Sequence, residues 1–215
     1  APMVVADENI AIDASCVAVR VLPLSTRRDQ RAASVGALVE ALQQQYRAEP
    51  GNYLVFFSSF DYLDMAFRAL REQHREIPAW SQQRQMDEAA RRDFLQRFQE
   101  GGQGIGFAVL GGAFGEGVDL PGRRLIGAFV VTLGLPQFDA PNQAICERLE
   151  QRFGKGQDYT YVYPGLQKVV QAAGRVIRTE DDRGTLVLVD ARYRERRYRR
   201  LLPAWWGLGP PAEAP

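Results

Sequence analysis

The sequence contains few cysteines and histidines, and this scarcity argues against several kinds of site. Only two cysteines, Cys16 and Cys146, occur among the 215 residues, and they form no C-x-x-C pair. A disulfide framework and an all-cysteine metal centre are therefore not expected, and a reducing, cytoplasmic compartment fits best. The single histidine, His74, lies in the charged segment REQHREIP, which is typical of a solvated helix end rather than of a catalytic base.

The chain also lacks a strong net charge and a long apolar run. Its 27 Lys and Arg residues nearly balance its 26 Asp and Glu residues, which leaves a net charge of +1. This balance gives no global field that would attract nucleic acid or a membrane surface, so any binding patch has to be local. No apolar run reaches the length of a membrane span, and the first residues lack the basic and apolar regions of a signal peptide. We therefore predict no membrane partner, and no metal site in this chain.

What the sequence does contain is a regular alternation of apolar runs and helical patterns. Five runs predict strands, at residues 16–22, 52–58, 105–111, 125–133 and 185–190. The patterns between them predict helices at about residues 28–47, 61–73, 87–100, 142–152 and 165–178. All the runs except the first are almost continuously apolar, as in strands covered on both faces. The sequence therefore predicts an α/β fold with a mostly parallel sheet and helices on both faces.

This fold class also predicts where a ligand binds, because ligands of open parallel sheets lie beyond the carboxyl ends of the strands. Ser58, Ser59 and Phe60 follow the second predicted strand, and Asp190-Ala191-Arg192 follows the last one. The third and fourth strands lead into GGAFGEGVDLPG (111–122) and LGLPQFDAP (133–141). A glycine-dense loop such as 111–122 lets backbone amides approach a ligand closely.

Common phosphate-binding motifs are absent. No G-x-x-x-x-G-K-[ST] sequence occurs, so the segment 111–122 is not a Walker A loop. The run GGQGIG (101–106) precedes a predicted strand instead of following one, so it is not a Rossmann fingerprint. DEAA (87–90) follows the polar segment SQQRQM rather than an apolar strand, and it is read as a helix start with Asp87 near the N-cap.

The last predicted helix carries two separate stripes. Gln171, Gly174, Arg175 and Arg178 recur at i, i+3, i+4 and i+7, roughly 140° around the helix from an apolar stripe. A glycine inside a helix costs roughly 1 kcal/mol relative to alanine, which close approach of a ligand or another backbone would offset. The alternative is a solvated arginine face with an incidental glycine. Periodicity leaves both open, although arginines directed at a second surface can hold phosphate oxygens at any physiological pH.

Several segments together resemble one family. QAAGRVIR (171–178) matches the motif VI pattern Q-x-x-G-R-x-x-R, and FGEGVDLPG (114–122) matches motif V, whose core is E-G-V-D. LVFFSSF (54–60) is similar to motif IV, STRRDQR (25–31) to the segment that leads into the domain, and LGLPQFDAP to the L-P-F-x-x-P loop. The chain thus resembles the C-terminal helicase domain, a second RecA-like domain, of superfamily 2 helicases of the XPD/DinG type. On this resemblance we expect a lead-in at residues 1–15, the RecA-like helicase domain at 16–206 and a disordered tail at 207–215.

The resemblance implies an ATP site that is shared between two domains. It implies that Arg175 and Arg178 reach the ATP γ-phosphate, with Arg175 as the finger that stabilises transition-state charge. Gln171 would orient the attacking water or couple the nucleotide state to the other domain. The further ATP-binding residues that the resemblance implies are Glu116, Gly117, Asp119 and Gly174. Asp119 has the alternative of merely bracing its loop.

The resemblance also implies contact with DNA and a partner domain. Ser58, Ser59 and Phe60 would contact the phosphates of single-stranded DNA through hydroxyls and backbone amides. The family's Walker A loop, DEAH box and four-cysteine iron–sulfur insertion belong to the upstream helicase domain, and this sequence contains none of them. ATP and Mg²⁺ would therefore be shared with that domain, an iron–sulfur cluster could lie only there, and this chain alone is expected to be inactive.

Two functions are consistent with these features. The first is the C-terminal motor half of an ATP-dependent DNA helicase that moves 5′ to 3′ along single-stranded DNA. The alternative is a module that binds single-stranded nucleic acid or a protein without turnover. Gln171, Arg175 and Arg178 together favour the first, because a pure binding module has no need of a γ-phosphate sensor.

Two C-terminal segments carry weaker signals. The arginine-rich segment RYRERRYRR (192–200) has two interpretations. It could follow a phosphate backbone, or it could be a solvated helix face. The apolar LLPAWW (201–206) is predicted to pack on the body of this domain or on the upstream domain.

Overall fold

A computed structural model describes residues 17–111, 114, 124–175 and 183–208. Within them, six strands form one sheet in which every neighbouring pair is parallel. The strands are β1 (Ala18–Leu22), β2 (Asn52–Phe57), β3 (Ala79–Ser81), β4 (Gly104–Val109), β5 (Gly127–Val131) and β6 (Thr185–Val189). Their order across the sheet is β1-β6-β5-β2-β4-β3, so the carboxyl ends of β1, β6, β5 and β2 lie side by side.

Helices connect most of these strands. They are α1 (Arg31–Ala48), α2 (Phe60–Gln73), α3 (Glu88–Gln96), α4 (Ala140–Phe153), α5 (Tyr163–Ala173) and the short α6 (Arg196–Arg199). A π-helical turn, Asp158–Val162, leads directly into α5, and 3₁₀ turns occupy Ala191–Arg194 and Ala204–Trp206. Side-chain oxygens cap three of the helices, since Ser59, Asp87 and Asp139 accept hydrogen bonds from the third residue after each of them.

The sheet is buried on both faces because its strands alternate their apolar side chains between two cores. Leu54 and Phe56 of β2 pack in one core with α3, α5 and the C-terminal turns. Tyr53, Val55 and Phe57 of the same strand pack in the other core, with α1 and α2. Strands covered in this way read as continuous apolar runs. The predicted α/β fold with helices on both faces is therefore confirmed.

The structure agrees with the five predicted strands and adds one. The additional strand, β3, is a three-residue edge strand that pairs only with β4, and three residues are too few to give a periodic signal. The predicted N-cap role of Asp87 is also confirmed, because its Oδ1 accepts a hydrogen bond from the Ala90 amide at 2.8 Å. Among the described residues, no helix has the length and apolar character that crossing a membrane requires.

The predicted helix at 165–178 is corrected at its C-terminal end. Helix α5 ends at Ala173, where the Arg175 amide bonds to the Ala172 carbonyl at 3.1 Å and closes a tight final turn. Gly174 is thus the C-cap residue rather than a mid-helix residue, so the interior cost of a glycine does not apply to it. Residues 176–182, which include Arg178, lie outside the described part of the chain.

The C-terminal segments pack as part of the body. Leu202 and Trp206 are 7% and 4% exposed, which confirms the prediction that LLPAWW is packed. In the arginine-rich segment, Tyr193 and Tyr198 are buried in the same core, whereas Arg194, Arg196 and Arg197 are exposed. The two tyrosines therefore support the core and are not available to stack on bases. Residues 1–16 and 209–215 are not described, so the expected lead-in, domain limits and tail stay predictions.

Candidate functional site

A cleft of about 660 Å³ opens at the carboxyl edge of the sheet, where parallel sheets bind their ligands. The loops that follow β1, β2, β5 and β6 form its walls, and we call it the edge cleft. Its polar and charged lining is contributed chiefly by Arg27, Arg28, Arg31, Ser58, Ser59 and Arg192. The strand order explains this grouping, because four strands that are distant in sequence end side by side here.

Arg31, the first residue of α1, is held at a fixed place in the edge cleft. Its Nε donates to the Thr26 carbonyl at 3.2 Å, and its Nη1 donates to Ser59 Oγ at 3.3 Å. Its guanidinium also lies 5.4 Å from the ring centroid of Tyr62. Partial burial lowers the pKa of Arg31 from its usual value, but an arginine remains charged at any physiological pH.

Two serines at the end of β2 face the same cleft. Ser59 Oγ accepts from the Tyr62 amide and from Arg31, both at 3.3 Å, so its own proton can be donated to a ligand. Ser58 Oγ is buried and has no hydrogen-bond partner among the described residues. A ligand oxygen in the cleft can accept from the Ser59 hydroxyl, whereas the Ser58 hydroxyl lies beneath the surface of the cleft.

The third predicted residue of this group, Phe60, does not line the edge cleft. It lines a separate, shallow pocket with Asp64, Gln82 and Arg84. The guanidinium of Arg84 lies 5.2 Å from the centroid of its ring. The structure therefore brings Ser58 and Ser59 together at the cleft and turns the Phe60 side chain away from them.

The segment after β6 forms one wall of the cleft, and a buried carboxylate holds it in place. Asp190 accepts from Arg192 Nε and Nη2, each at 2.8 Å, from the Arg192 amide at 2.9 Å, and from the Thr26 hydroxyl. Burial by itself would raise the pKa of Asp190, but these hydrogen bonds and the charge of Arg192 hold it below its usual value. The hydrogen bond from the Thr26 hydroxyl to Asp190 ties the loop after β1 to the loop after β6, and the ion pair with Arg192 holds Asp190 in place.

The wall that follows β5 is anchored by close packing and by hydrogen bonds. Tyr193 Oη donates to the Thr132 carbonyl at 2.6 Å, and the Gly134 amide donates to Thr132 Oγ1 at 2.9 Å. Gly134 has a φ of +68°, and a Cβ on it would lie 2.6 Å from the Gly165 carbonyl oxygen. Glycine at this position therefore allows the loop to pack directly on the first turn of α5.

The predicted ATP-site residues lie at the other end of α5. The helix begins beside the β5 loop, and its 11 residues carry the chain about 16 Å along the axis before Gly174 and Arg175. Gln171 is exposed, and Arg175 is half-buried. Lys168, one turn before Gln171, lies beside Gly111, from which the glycine-rich segment starts. Arg178, Glu116, Gly117 and Asp119 fall outside the described residues, so their predicted roles have no structural counterpart here.

The charge of the edge cleft suits an anionic ligand. Arg27, Arg28 and Arg31 contribute three positive charges, and the lining carboxylate of Asp61 is paired with Arg84 at 2.5 Å. The described residues contain no cluster of three or more His, Cys, Asp or Glu that could hold a metal ion.

Sequence reasoning missed the contribution of the three arginines, which it treated as part of a lead-in segment. The strand-end rule would have found them, because they lie in the loop that follows β1.

The all-parallel sheet with helices on both faces defines the class of the protein as a RecA-like α/β domain, and a comparison with family models gives the particular family. The model described as "Helicase C-terminal domain" matches residues 42–208. The chain therefore belongs to this family, as the motif pattern predicted.

Relatives described as helicases support this assignment. The chain is 32% identical over 162 residues to a probable ATP-dependent helicase of Methanocaldococcus jannaschii, covering 66% of this chain and 24% of the relative. It is 37% identical over 93 residues to the ATP-dependent DNA helicase DinG of Photobacterium profundum, covering 42% and 13%. It is 27% identical over 197 residues to the XPD helicase subunit of general transcription and DNA repair factor IIH of Arabidopsis thaliana, covering 86% and 26%. The chain thus spans about a quarter or less of the length of these relatives.

Solved structures show the same fold. A structure of XPD helicase superposes with a TM-score of 0.71 at 17% sequence identity, covering 90% of this chain and 34% of that one. At this identity the likeness concerns the fold alone, which is the RecA-like fold predicted from the motifs.

Proposed function

We propose that this chain is the C-terminal motor domain of an ATP-dependent DNA helicase of the XPD/DinG type, acting in the cytoplasm. In this proposal the edge cleft holds part of a single DNA strand. Arg175 and Arg178 complete an ATP site whose nucleotide is held by an upstream RecA-like domain. The proposal follows the named activities of the relatives, which are described as ATP-dependent helicases.

The observation that carries the DNA part of the proposal is the grouping of Arg27, Arg28 and Arg31 with Ser59 in one cleft. Phosphate oxygens accept hydrogen bonds from arginine, serine and backbone amides, and such contacts position a strand without reading its sequence. The Ser59 hydroxyl is fixed by Arg31 and by the Tyr62 amide, so a phosphate would meet donors that are already oriented.

The ATP part of the proposal rests on the motif residues and on what the sequence does not supply. No G-x-x-x-x-G-K-[ST] loop occurs in the 215 residues, so the phosphates and Mg²⁺ would be held by the upstream domain. Gln171, Gly174 and Arg175 lie at the C-terminal end of α5. Lys168, one turn earlier, lies beside Gly111, where the segment that carries Glu116, Gly117 and Asp119 begins. The role of Arg175 would be to stabilise charge on the γ-phosphate in the transition state.

The test is DNA-stimulated ATP hydrolysis by the parent protein that includes the upstream domain. We expect Arg175→Ala to lower turnover about 10³-fold, which is the usual contribution of an arginine finger. The matched control is Arg183→Ala, since Arg183 is an exposed arginine that follows residues 176–182 in the sequence. The control should keep near-normal turnover, and the 215-residue chain alone should hydrolyse no ATP.

Two results would count against this function, in different ways. Near-normal turnover by Arg175→Ala would overturn the finger assignment, and hydrolysis by the isolated chain would overturn the shared site. If the parent protein binds single-stranded DNA without any turnover, the alternative of a non-catalytic binding module is correct.

A further inference from the structure

We infer that Phe138 is a stacking platform for a base of the single strand that occupies the edge cleft. The inference rests on the proposed function and deepens it, because the arginines and serines address phosphates whereas Phe138 would address a base. Phe138 lies in the loop between β5 and α4 and lines the cleft.

The ring of Phe138 has one covered face and one exposed face. It stacks on Tyr161 with ring centroids 4.4 Å apart and an angle of 7° between the planes. Tyr161 is 2% exposed, whereas Phe138 is 68% exposed. A parallel ring beneath the exposed ring of Phe138 gives a flat surface on which a third ring can stack.

The backbone on both sides of Phe138 is fixed by hydrogen bonds. The Gln137 carbonyl accepts from Asn142 Nδ2 at 2.9 Å, and Asp139 Oδ1 accepts from the Asn142 amide at 2.9 Å. The same loop is packed against α5 through Gly134. A base would therefore bind a pre-oriented ring and would not have to order a mobile one.

The charge of the cleft selects a nucleic acid as the occupant. A strand that stacks a base on Phe138 keeps its phosphates within the cleft that also contains Arg27, Arg28 and Arg31. Proteins that bind single strands without sequence preference combine a basic groove with aromatic side chains in this way. An apolar protein partner would suit the ring but not the three arginines.

The chain offers a matched control aromatic in Phe153, the last residue of α4. It is 54% exposed and lies against Tyr159, with centroids 5.7 Å apart. Its ring is tilted by 53° from that of Tyr159, and it does not line the edge cleft. Phe153 therefore matches Phe138 in exposure and residue type but lacks both the parallel stack and the edge cleft, and the arginine beside its ring is Arg152, 5.2 Å from the centroid.

The test is fluorescence anisotropy of a short labelled oligothymidylate titrated with the 215-residue chain at low ionic strength. We expect Phe138→Ala to weaken binding about tenfold, a typical value for loss of one base–aromatic stack. Phe153→Ala should bind as the unaltered chain does, and Phe138→Trp should keep the affinity. An oligomer of the same length that is abasic throughout should bind the unaltered chain and Phe138→Ala equally, because it offers phosphates but no bases.

The outcomes separate this inference from the proposed function. If the unaltered chain binds oligothymidylate and Phe138→Ala binds it equally well, the stacking role is wrong, and the ring is better explained as a contact for a protein. Equal weakening by Phe138→Ala on the abasic and thymidine oligomers would also overturn it, since that loss would not depend on bases. If the unaltered chain binds neither oligomer, the DNA part of the proposed function fails and this inference fails with it.

Discussion

Two arginine–carboxylate pairs lie at the edge cleft, and they differ in their surroundings rather than in their distances. Arg192 approaches Asp190 at 2.8 Å, and Arg84 approaches Asp61 at 2.5 Å. The side chain of Asp190 is 2% exposed and that of Asp61 is 78% exposed. The comparison teaches that the distance within a pair does not fix its contribution to stability, because water screens the exposed pair far more than the buried one.

The buried pair also has more hydrogen bonds than the exposed one. Asp190 accepts four, from two nitrogens of the Arg192 guanidinium, from the Arg192 amide and from Thr26. The burial that would lower the pKa of Arg192 is outweighed by its hydrogen bonds and charge interaction with Asp190, so its pKa is raised. Removal of the carboxylate would leave several buried donors without an acceptor.

The largest effect is expected for Asp190→Ala, which breaks the buried pair. We expect the free energy of unfolding to fall by about 3 to 5 kcal/mol, since the substitution leaves a partly buried guanidinium and a buried hydroxyl unpaired. The measurement is chemical denaturation followed by circular dichroism. A loss below about 1 kcal/mol, the size expected of a surface pair, would show that burial does not distinguish the two pairs.

Much of this architecture could be predicted from the sequence, because continuous apolar runs carry a strong signal. The runs that became β2, β4, β5 and β6 are buried along nearly their whole length. Ser58, Ser59 and Arg192, which follow two of these runs, line the edge cleft, and their ligand-binding roles stay predictions. The pairing of Asp190 with Thr26 could not be predicted, because it joins residues 164 positions apart through the strand order of the sheet.

Two other features could not be predicted from the sequence, because each depends on contacts that periodicity does not reveal. The end of α5 at Ala173 depends on a tight final turn, whereas the apolar periodicity continues to Ile177. The orientation of Phe60 depends on Arg84, which lies 5.2 Å from its ring centroid and 24 positions away in the sequence. Periodicity predicts which face of an element is apolar, but it does not predict contacts between distant surface residues.

Tyr193→Phe tests a buried hydrogen bond beside the buried pair that carries no charge. Tyr193 adjoins Arg192 and joins the same 3₁₀ turn to the loop after β5. Its hydroxyl donates at 2.6 Å to the buried Thr132 carbonyl, which the substitution would leave unsatisfied. We expect a loss of about 1 to 3 kcal/mol in the free energy of unfolding. Tyr161→Phe is the matched control, since Tyr161 is equally buried but its hydroxyl has no partner among the described residues. It should be neutral or stabilising, and an equal loss in both variants would mean that the hydrogen bond is not the cause.

The smallest effect is expected for Arg84→Ala, which removes the exposed pair. Arg84 is 60% exposed and contacts Asp61 and the ring of Phe60 on the surface. Because both charges remain hydrated when separated, we expect a loss of about 0.2 to 1 kcal/mol in the free energy of unfolding. Denaturation should be repeated across a range of salt concentrations, since screening weakens an exposed pair and leaves a buried one nearly unchanged. The loss caused by Arg84→Ala should therefore shrink as salt is added, while that caused by Asp190→Ala should persist. The same salt response in both variants would contradict the distinction between the two pairs.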